Sequence, residues 1–145
     1  FDGIEYRGYG QSIVEELADA VGRDLPTLGD AIAAAEELRG QGVATVVISL
    51  GGAGAVMVDA DGVLAGASFA PEVRSSVGAG DCFLAGYLGA HDQGREVALR
   101  TALAYGAAAV QLPGSQVPGP EHVDLAAARL FDEAELTSSL GNPTD

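Results

Sequence analysis

Residues 75–88 contain the residue types whose order and spacing best support chemistry. The segment reads Ser-Ser-Val-Gly-Ala-Gly-Asp and continues into an apolar stretch with helical spacing. A glycine-rich turn that opens a helix presents backbone N–H groups at the positive end of the helix dipole, and such groups bind phosphate. We therefore predict an anion hole at Gly78, Ala79 and Gly80, with Asp81 as the base that accepts a hydroxyl proton in phosphoryl transfer.

The same segment has a simpler interpretation. A tight loop followed by an acidic N-cap would use the same four residues and would only stabilise the helix. Cys82, in the same turn, also has two interpretations. The helix dipole could lower its thiol pKa, or the residue could be a small packing residue, and the second interpretation is favoured because cysteine packs readily in protein cores.

A second glycine-rich segment follows an apolar run at residues 43–50, which is typical of a strand buried on both faces. Ligands of open α/β sheets bind at the carboxyl ends of strands, and glycine allows a phosphate or ribose to approach the backbone closely. Taken alone, this segment is better explained as a plain hairpin turn. The predicted nucleotide-binding residues are Ser49, Leu50, Gly51, Gly52, Ala53, Gly54 and Gly80.

Together the two segments resemble the PfkB/ribokinase family of sugar kinases. The Gly-Ala-Gly-Asp turn is followed at the family's spacing by Ala85 and Gly86. Residues 25–30 (LPTLGD), 47–51 (VISLG) and 107–114 (AAAVQLPG) resemble the 1-phosphofructokinase and tagatose-6-phosphate kinase branch. The resemblance implies a ribokinase-like (Rossmann-like) α/β fold and ATP-dependent phosphorylation of a sugar phosphate, with fructose 1-phosphate converted to fructose 1,6-bisphosphate.

The resemblance also implies a magnesium ion, organised through water by the glutamate of an Asn-x-x-Glu motif that follows Lys-Pro. Glu16 aligns with that glutamate, but Gln11, Ser12 and Ile13 stand where the family has lysine, proline and asparagine. Because the motif is broken, Glu16 is at least as well explained as an ordinary exposed helix acid. Some family members hold potassium through backbone carbonyls, and the matching positions are Ser75, Val77, Ala109, Leu112 and Gly114.

Composition limits the partners. The chain has 145 residues, of which 48% are hydrophobic and 19% charged, as in a folded α/β domain. A net charge of −14 argues against nucleic acid or an anionic membrane and leaves small molecules, here ATP and a sugar phosphate. The single cysteine and the absence of an apolar stretch of about 20 residues lead us to expect a cytoplasmic protein.

The pattern along the chain predicts helices alternating with buried strands, and hence a partly parallel sheet flanked by helices. Helices are expected at 14–21, 28–39, 79–90, 95–111 and about 121–131, and strands at 43–50, 55–58 and 63–67. Residues 1–13 have no clear period and form a divergent N-terminal segment. Residues 14–136 form the kinase C-terminal region, and residues 137–145 form a polar tail that we expect to be frayed.

The family's N-terminal half supplies most of its sugar-binding residues, and no equivalent is visible here. We therefore expect a truncated, frameshifted or rearranged product, or half of a split protein, whose partner would be the missing N-terminal half or a second copy in a homodimer. Two alternatives stay open. The chain could be a noncatalytic remnant or interaction module that keeps the fold, or it could belong to a kinase for another sugar or a nucleoside.

Overall fold

The computed structural model describes residues 4–7, 17–19, 21–50, 54–70, 73–74, 79–113 and 116–143. The chain divides into two compact units: unit 1 is Phe1–Ala65 with Phe131–Asp145, and unit 2 is Gly66–Leu130. The strands are β1 (Ile4–Arg7), β2 (Thr45–Ser49), β3 (Ala55–Asp59), β4 (Gly62–Ser68) and β5 (Ala128–Leu130). The α-helices with described bounds are α1 (Leu28–Gly40), α2 (Ala79–Ala90), α3 (Arg95–Val110) and α4 (Glu133–Ser139). Residues 17–19 and 21 are also helical, within the helix predicted at 14–21.

The sheet of unit 1 is partly parallel, as predicted. Strand β1 runs parallel to β2, whereas β2 and β3 are antiparallel, and the first part of β4 lies beside β3. The turn between β3 and β4 is confirmed at Asp61 and Gly62, where Gly62 has a φ of +115° that favours glycine. Strand β1 falls in the segment for which no element was predicted, because four residues are too few to show a period.

The core of unit 1 forms between the sheet and helix α1. Val46 and Ile48 of β2 belong to the same apolar cluster as Val56 and Val58 of β3. Val47 and Met57, which alternate with them, are also buried. The central strands are therefore buried on both faces, as the apolar run predicted. The helix contributes Leu28, Ala31, Ala34, Ala35 and Leu38 to the cluster.

Helix α1 begins at a capping box. The Thr27 hydroxyl accepts a hydrogen bond from the Asp30 N–H at 3.3 Å, and the Asp30 carboxylate accepts one from the Thr27 N–H at 3.2 Å. Two further N–H groups of the first turn, those of Leu28 and Gly29, donate to the carbonyls of Asn142 (3.0 Å) and Leu140 (2.8 Å). Residues 140–143, which we call the C-terminal strap, therefore complete the cap of α1.

The expectation of a frayed end is wrong for the strap, since its backbone is bonded to α1 and Pro143 forms a bridge with Thr27. Residues 137–139 lie in helix α4, which has its own capping box between Asp132 and Glu135. A polar composition predicted disorder here, but the hydrogen bonds are made by the backbone and do not depend on side-chain polarity.

Replacing Thr27 with alanine should lower the free energy of unfolding by about 1 kcal/mol, because the Asp30 N–H loses its acceptor and the capping box is broken. Thr27→Ser keeps the hydroxyl and should stay close to the wild type. Urea denaturation followed by circular dichroism measures both variants. Equal losses for alanine and serine would show that the hydroxyl is not the stabilising group.

In unit 2, helices α2 and α3 approach closely at Gly86. A Cβ at this position would lie 3.0 Å from the Thr101 carbonyl oxygen and 3.1 Å from the Tyr105 Cβ. The second part of β4 pairs antiparallel with β5, with Gly66 opposite Leu130. The predicted helices over 79–90 and 95–111 are confirmed to within one residue.

The predicted helix over about 121–131 is wrong. This segment forms two short 3₁₀ turns, Pro120–His122 and Leu125–Ala127, followed by strand β5. The Asp124 side chain accepts a hydrogen bond from the Ala126 N–H at 3.0 Å, which favours a turn over a helix. Pairing with β4 then outweighs the helix propensity of the alanines. No helix in the described ranges is both long and apolar enough to span a bilayer.

Candidate functional site

The residue predicted to act as a base is exposed at the start of a well-anchored helix. Asp81 lies in the first turn of α2, which begins at Ala79. Phe83 and Tyr87, one helical turn apart, are 5% and 3% exposed and bury the opposite face of the helix. The apolar spacing of α2 therefore fixes the helix and leaves the Asp81 side chain towards solvent.

The first turn of α2 has the backbone geometry expected of an anion site. The amides of Ala79 and Gly80 belong to the helix positions that have no carbonyl acceptor one turn earlier in the same helix. They also lie at the positive end of the dipole of a 12-residue helix. Gly78, the third residue of the predicted anion hole, lies outside the described residues.

The second predicted segment is a hairpin between β2 and β3. Ser49 ends β2 and pairs with Ala55, and the Leu50 N–H donates to the Gly54 carbonyl at 2.7 Å. Gly54 has a φ of +108°, which an L-residue rarely adopts. Gly51, Gly52 and Ala53 lie outside the described residues. The hydrogen bond that closes this loop was not predicted, although glycine at its last position is the signal that was available.

The two segments are placed in different units. Residues 49–54 belong to unit 1, and residues 78–81 belong to unit 2. In the described residues, the first segment lies between the end of β2 and the start of β3, and the second contains the start of α2. Their nucleotide-binding and catalytic roles stay predictions.

The predicted metal residue, Glu16, lies outside the described residues. Across the part of the chain that the structure describes, no three His, Cys, Asp or Glu side chains are grouped to hold a metal ion. Of the carbonyl positions considered for potassium, Ala109 and Leu112 are described. Ala109 is buried in α3, and its carbonyl accepts a hydrogen bond from the Leu112 N–H at 3.2 Å. Ser75, Val77 and Gly114 lie outside the described residues.

The environment of Cys82 decides between its two interpretations. Burial raises the pKa of the Cys82 thiol above its ordinary value, and the negative charge of Asp81 raises it further. Both effects disfavour the thiolate, so the helix dipole does not make this cysteine reactive. The packing interpretation is favoured.

Alkylation of Cys82 should therefore be slow at pH 8 and should accelerate as the pH rises towards the raised pKa. Each unit by which the pKa is raised lowers the thiolate fraction about tenfold at a pH below it. Removing the Asp81 charge in Asp81→Asn should increase the rate at pH 8. Maleimide labelling followed by mass spectrometry measures the rate, with the urea-unfolded chain as the control. Faster labelling of the folded chain than of the unfolded chain would contradict this expectation.

Comparison with known proteins gives consistent results. A family model described as "pfkB family carbohydrate kinase" matches residues 14–122. The chain is 41% identical over 110 residues to a 1-phosphofructokinase of Haloferax volcanii, a match that covers 74% of this chain and 36% of that protein. It is 47% identical over 73 residues to the 1-phosphofructokinase of Escherichia coli K12, which covers 50% of this chain and 23% of that protein.

Solved structures share the fold. The phosphofructokinase-2 of Escherichia coli, crystallised with substrates and products, superposes with a TM-score of 0.70 at 28% identity, covering 82% of this chain and 37% of that one. Ribokinase from Thermotoga maritima superposes with a TM-score of 0.65 at 22% identity, covering 82% of this chain and 39% of that one. The matched residues thus span well under half of each relative.

Proposed function

Because the chain belongs to the pfkB family of carbohydrate kinases, we propose that it carries the nucleotide-binding and catalytic part of an ATP-dependent sugar-phosphate kinase. The reaction would transfer the γ-phosphoryl group of ATP to a hydroxyl of fructose 1-phosphate, giving fructose 1,6-bisphosphate. The sugar phosphate is chosen because the relatives at 41% and 47% identity are 1-phosphofructokinases. The observation that carries the proposal is the exposed Asp81 in the first turn of α2.

In the proposed mechanism Asp81 orients the attacking hydroxyl and accepts its proton. The transition state of phosphoryl transfer is loose, so the base does little bond breaking, and in-line placement of the hydroxyl contributes most. The exposure of Asp81 allows contact with a substrate, while the buried Phe83 and Tyr87 anchor the helix that carries Asp81. Because the backbone that carries Asp81 is held in a packed helix, binding costs little backbone entropy.

The amides of Ala79 and Gly80, together with Gly78, would hold the oxygens of the transferring phosphoryl group. Fixed N–H donors are effective in this role because they are oriented before charge develops on those oxygens. Residues 49–54 would contact the rest of the nucleotide. The hydrogen bond from the Leu50 N–H to the Gly54 carbonyl supports this role, since it joins the two ends of the loop.

Magnesium is the metal we propose for this reaction, because Mg²⁺ is commonly bound by one or two carboxylates, water and the substrate phosphates rather than by a cage of protein ligands. When bound, it would neutralise charge on the β- and γ-phosphates. Glu16 is the residue we propose to orient its water. Potassium is also proposed, since phosphofructokinase-2 of Escherichia coli has been crystallised with it.

The sugar phosphate would be bound by residues outside the matched region. The partner proposed for this part is an N-terminal half of the kind that the longer relatives contain, or a second copy of this chain. The second candidate function is a noncatalytic remnant of such a kinase. It is favoured by Gln11, Ser12 and Ile13, which stand where the family has its Lys-Pro-Asn residues.

The purified chain tests the proposal first. We expect calorimetry to show weak binding of MgATP at best, and we expect no phosphorylation of a panel containing fructose 1-phosphate and tagatose 6-phosphate, because the sugar-binding part is not supplied. Robust phosphorylation by the chain alone would contradict the proposal that the sugar site lies elsewhere.

A chimera distinguishes the two candidate functions. In it, this chain replaces the matching 110 residues of the Haloferax volcanii 1-phosphofructokinase. Phosphorylation of fructose 1-phosphate by the chimera would support the catalytic proposal. A chimera that is folded by circular dichroism and binds fructose 1-phosphate, yet does not turn over, would identify this chain as the noncatalytic remnant.

A further inference from the structure

Unit 1 contains a cavity of about 120 Å³ at the base of the β2–β3 hairpin. Leu50 and Ala55, at the two ends of the hairpin loop, form one side of it, and Leu28 of α1 and Val56 of β3 form another. Phe131 contributes an aromatic ring. The wall is therefore made largely of aliphatic and aromatic side chains from four separate parts of unit 1.

The polar groups at the cavity have partners elsewhere or lie at its outer side. The Ser139 hydroxyl donates to the Glu135 carbonyl at 2.7 Å, and the Asn142 carbonyl accepts the Leu28 N–H. Among the described residues, no lysine, arginine, aspartate or glutamate lines the cavity. An ionised group would lose its hydration there without a compensating charge, so phosphate groups are excluded from the cavity. An uncharged, apolar ligand is favoured.

The volume sets the size of that ligand. Apolar protein cavities of about 150 Å³ lined by aliphatic and aromatic residues stay dry and bind benzene or xenon. The cavity in unit 1 is slightly smaller and partly open to solvent, and most of its wall is of the same kind. We propose that it is a binding site for a small uncharged apolar molecule of the size of benzene or less. Leu50 is the one lining residue that also belongs to the segment assigned to ATP.

The C-terminal strap provides the entrance. Asn142 and Pro143 are exposed and form the outer wall of the cavity. The strap is attached to α1 through the Leu28 and Gly29 amides, and terminal segments held by a few backbone hydrogen bonds open without global unfolding. Local opening of the strap admits the ligand, while α1 and the sheet stay in place.

The test is a titration of the 145-residue chain with benzene, followed by NMR of the methyl groups. The methyl resonances of Leu28, Leu50 and Val56 should shift saturably, whereas those of Val58, buried in the same core but not lining the cavity, should not. Xenon should compete for the same methyl groups. Non-saturable shifts, or equal shifts at Val58, would overturn the proposal.

A filled cavity gives a second arm. Ala55→Val places two methyl groups at the cavity wall, on a strand where valine is favoured, and should weaken benzene binding roughly tenfold or more. Ala67→Val, on β4 outside the lining, is the matched control and should bind benzene as the wild type does. Unchanged binding in a folded Ala55→Val variant would overturn the site. If this variant does not fold, competition between benzene and xenon in the wild type decides the question.

Discussion

Replacing Asp81 with asparagine should lower the turnover number of the active chimera by roughly 10²- to 10⁴-fold, the usual contribution of a positioned base. Asparagine has nearly the same shape but cannot accept the hydroxyl proton as a carboxylate does. The backbone of the first turn of α2 is unchanged, so the KM for ATP should stay close to that of the parent chimera. A coupled assay of ADP release, with ATP and fructose 1-phosphate varied in turn, measures both parameters.

The matched control is Asp92→Asn. Asp92 is also exposed and lies in the short 3₁₀ turn that follows α2. Its replacement by asparagine removes one negative charge, as Asp81→Asn does. Its turnover number should equal that of the parent chimera. Wild-type-like turnover in Asp81→Asn would remove the catalytic assignment and leave Asp81 as a residue of the helix start. Equal losses in both variants would instead point to a general effect of charge on the enzyme.

The second large effect is expected at Gly66, where an alanine has no room. A Cβ there would lie 2.6 Å from the Arg129 carbonyl oxygen and 2.9 Å from the Leu103 Cδ1. The leucine side chain could rotate away, but the carbonyl belongs to the backbone of β5, which pairs with β4 at this point. Gly66→Ala should therefore displace β5 and lower the free energy of unfolding by about 1–3 kcal/mol.

Gly89→Ala makes the same atomic change in a different environment. Gly89 lies in α2, and a Cβ built on it meets nothing within 4 Å. Alanine is the better helix former, so this variant should raise the free energy of unfolding by about 0.5–1 kcal/mol. Urea denaturation of both variants, followed by far-UV circular dichroism, gives the two values. A neutral or stabilising Gly66→Ala would show that β4 and β5 do not approach as closely as described.

Local signals were sufficient for several elements. The helix expected at residues 28–39 is α1, which ends one residue later, and the apolar run at residues 43–50 contains a strand buried on both faces. Helix α2 starts at Ala79, the residue expected. In each case the residues that determine the structure lie within one or two turns of one another, so the sequence pattern contains the whole cause.

Elements that depend on distant partners were missed. Strand β5 begins in the alanine-rich segment 126–128, which favours a helix by composition. It is a strand because β4 is available to pair with it. Strand β1 has too few residues to show a period and is defined by its parallel partner, β2. Secondary structure that is stabilised by pairing across the chain leaves little signal in its own residues.

By itself, the sequence determined that an acid follows a glycine turn at the start of a helix, and that a second glycine loop follows a buried strand. Both are consequences of neighbouring residues. Only the tertiary structure decided that the C-terminal strap caps α1 and that Gly66 must lack a side chain. It also decided that an apolar cavity lies at the base of the β2–β3 hairpin. These features arise where segments far apart in the chain pack within a few ångströms of each other, and close packing depends on shape in three dimensions rather than on residue order.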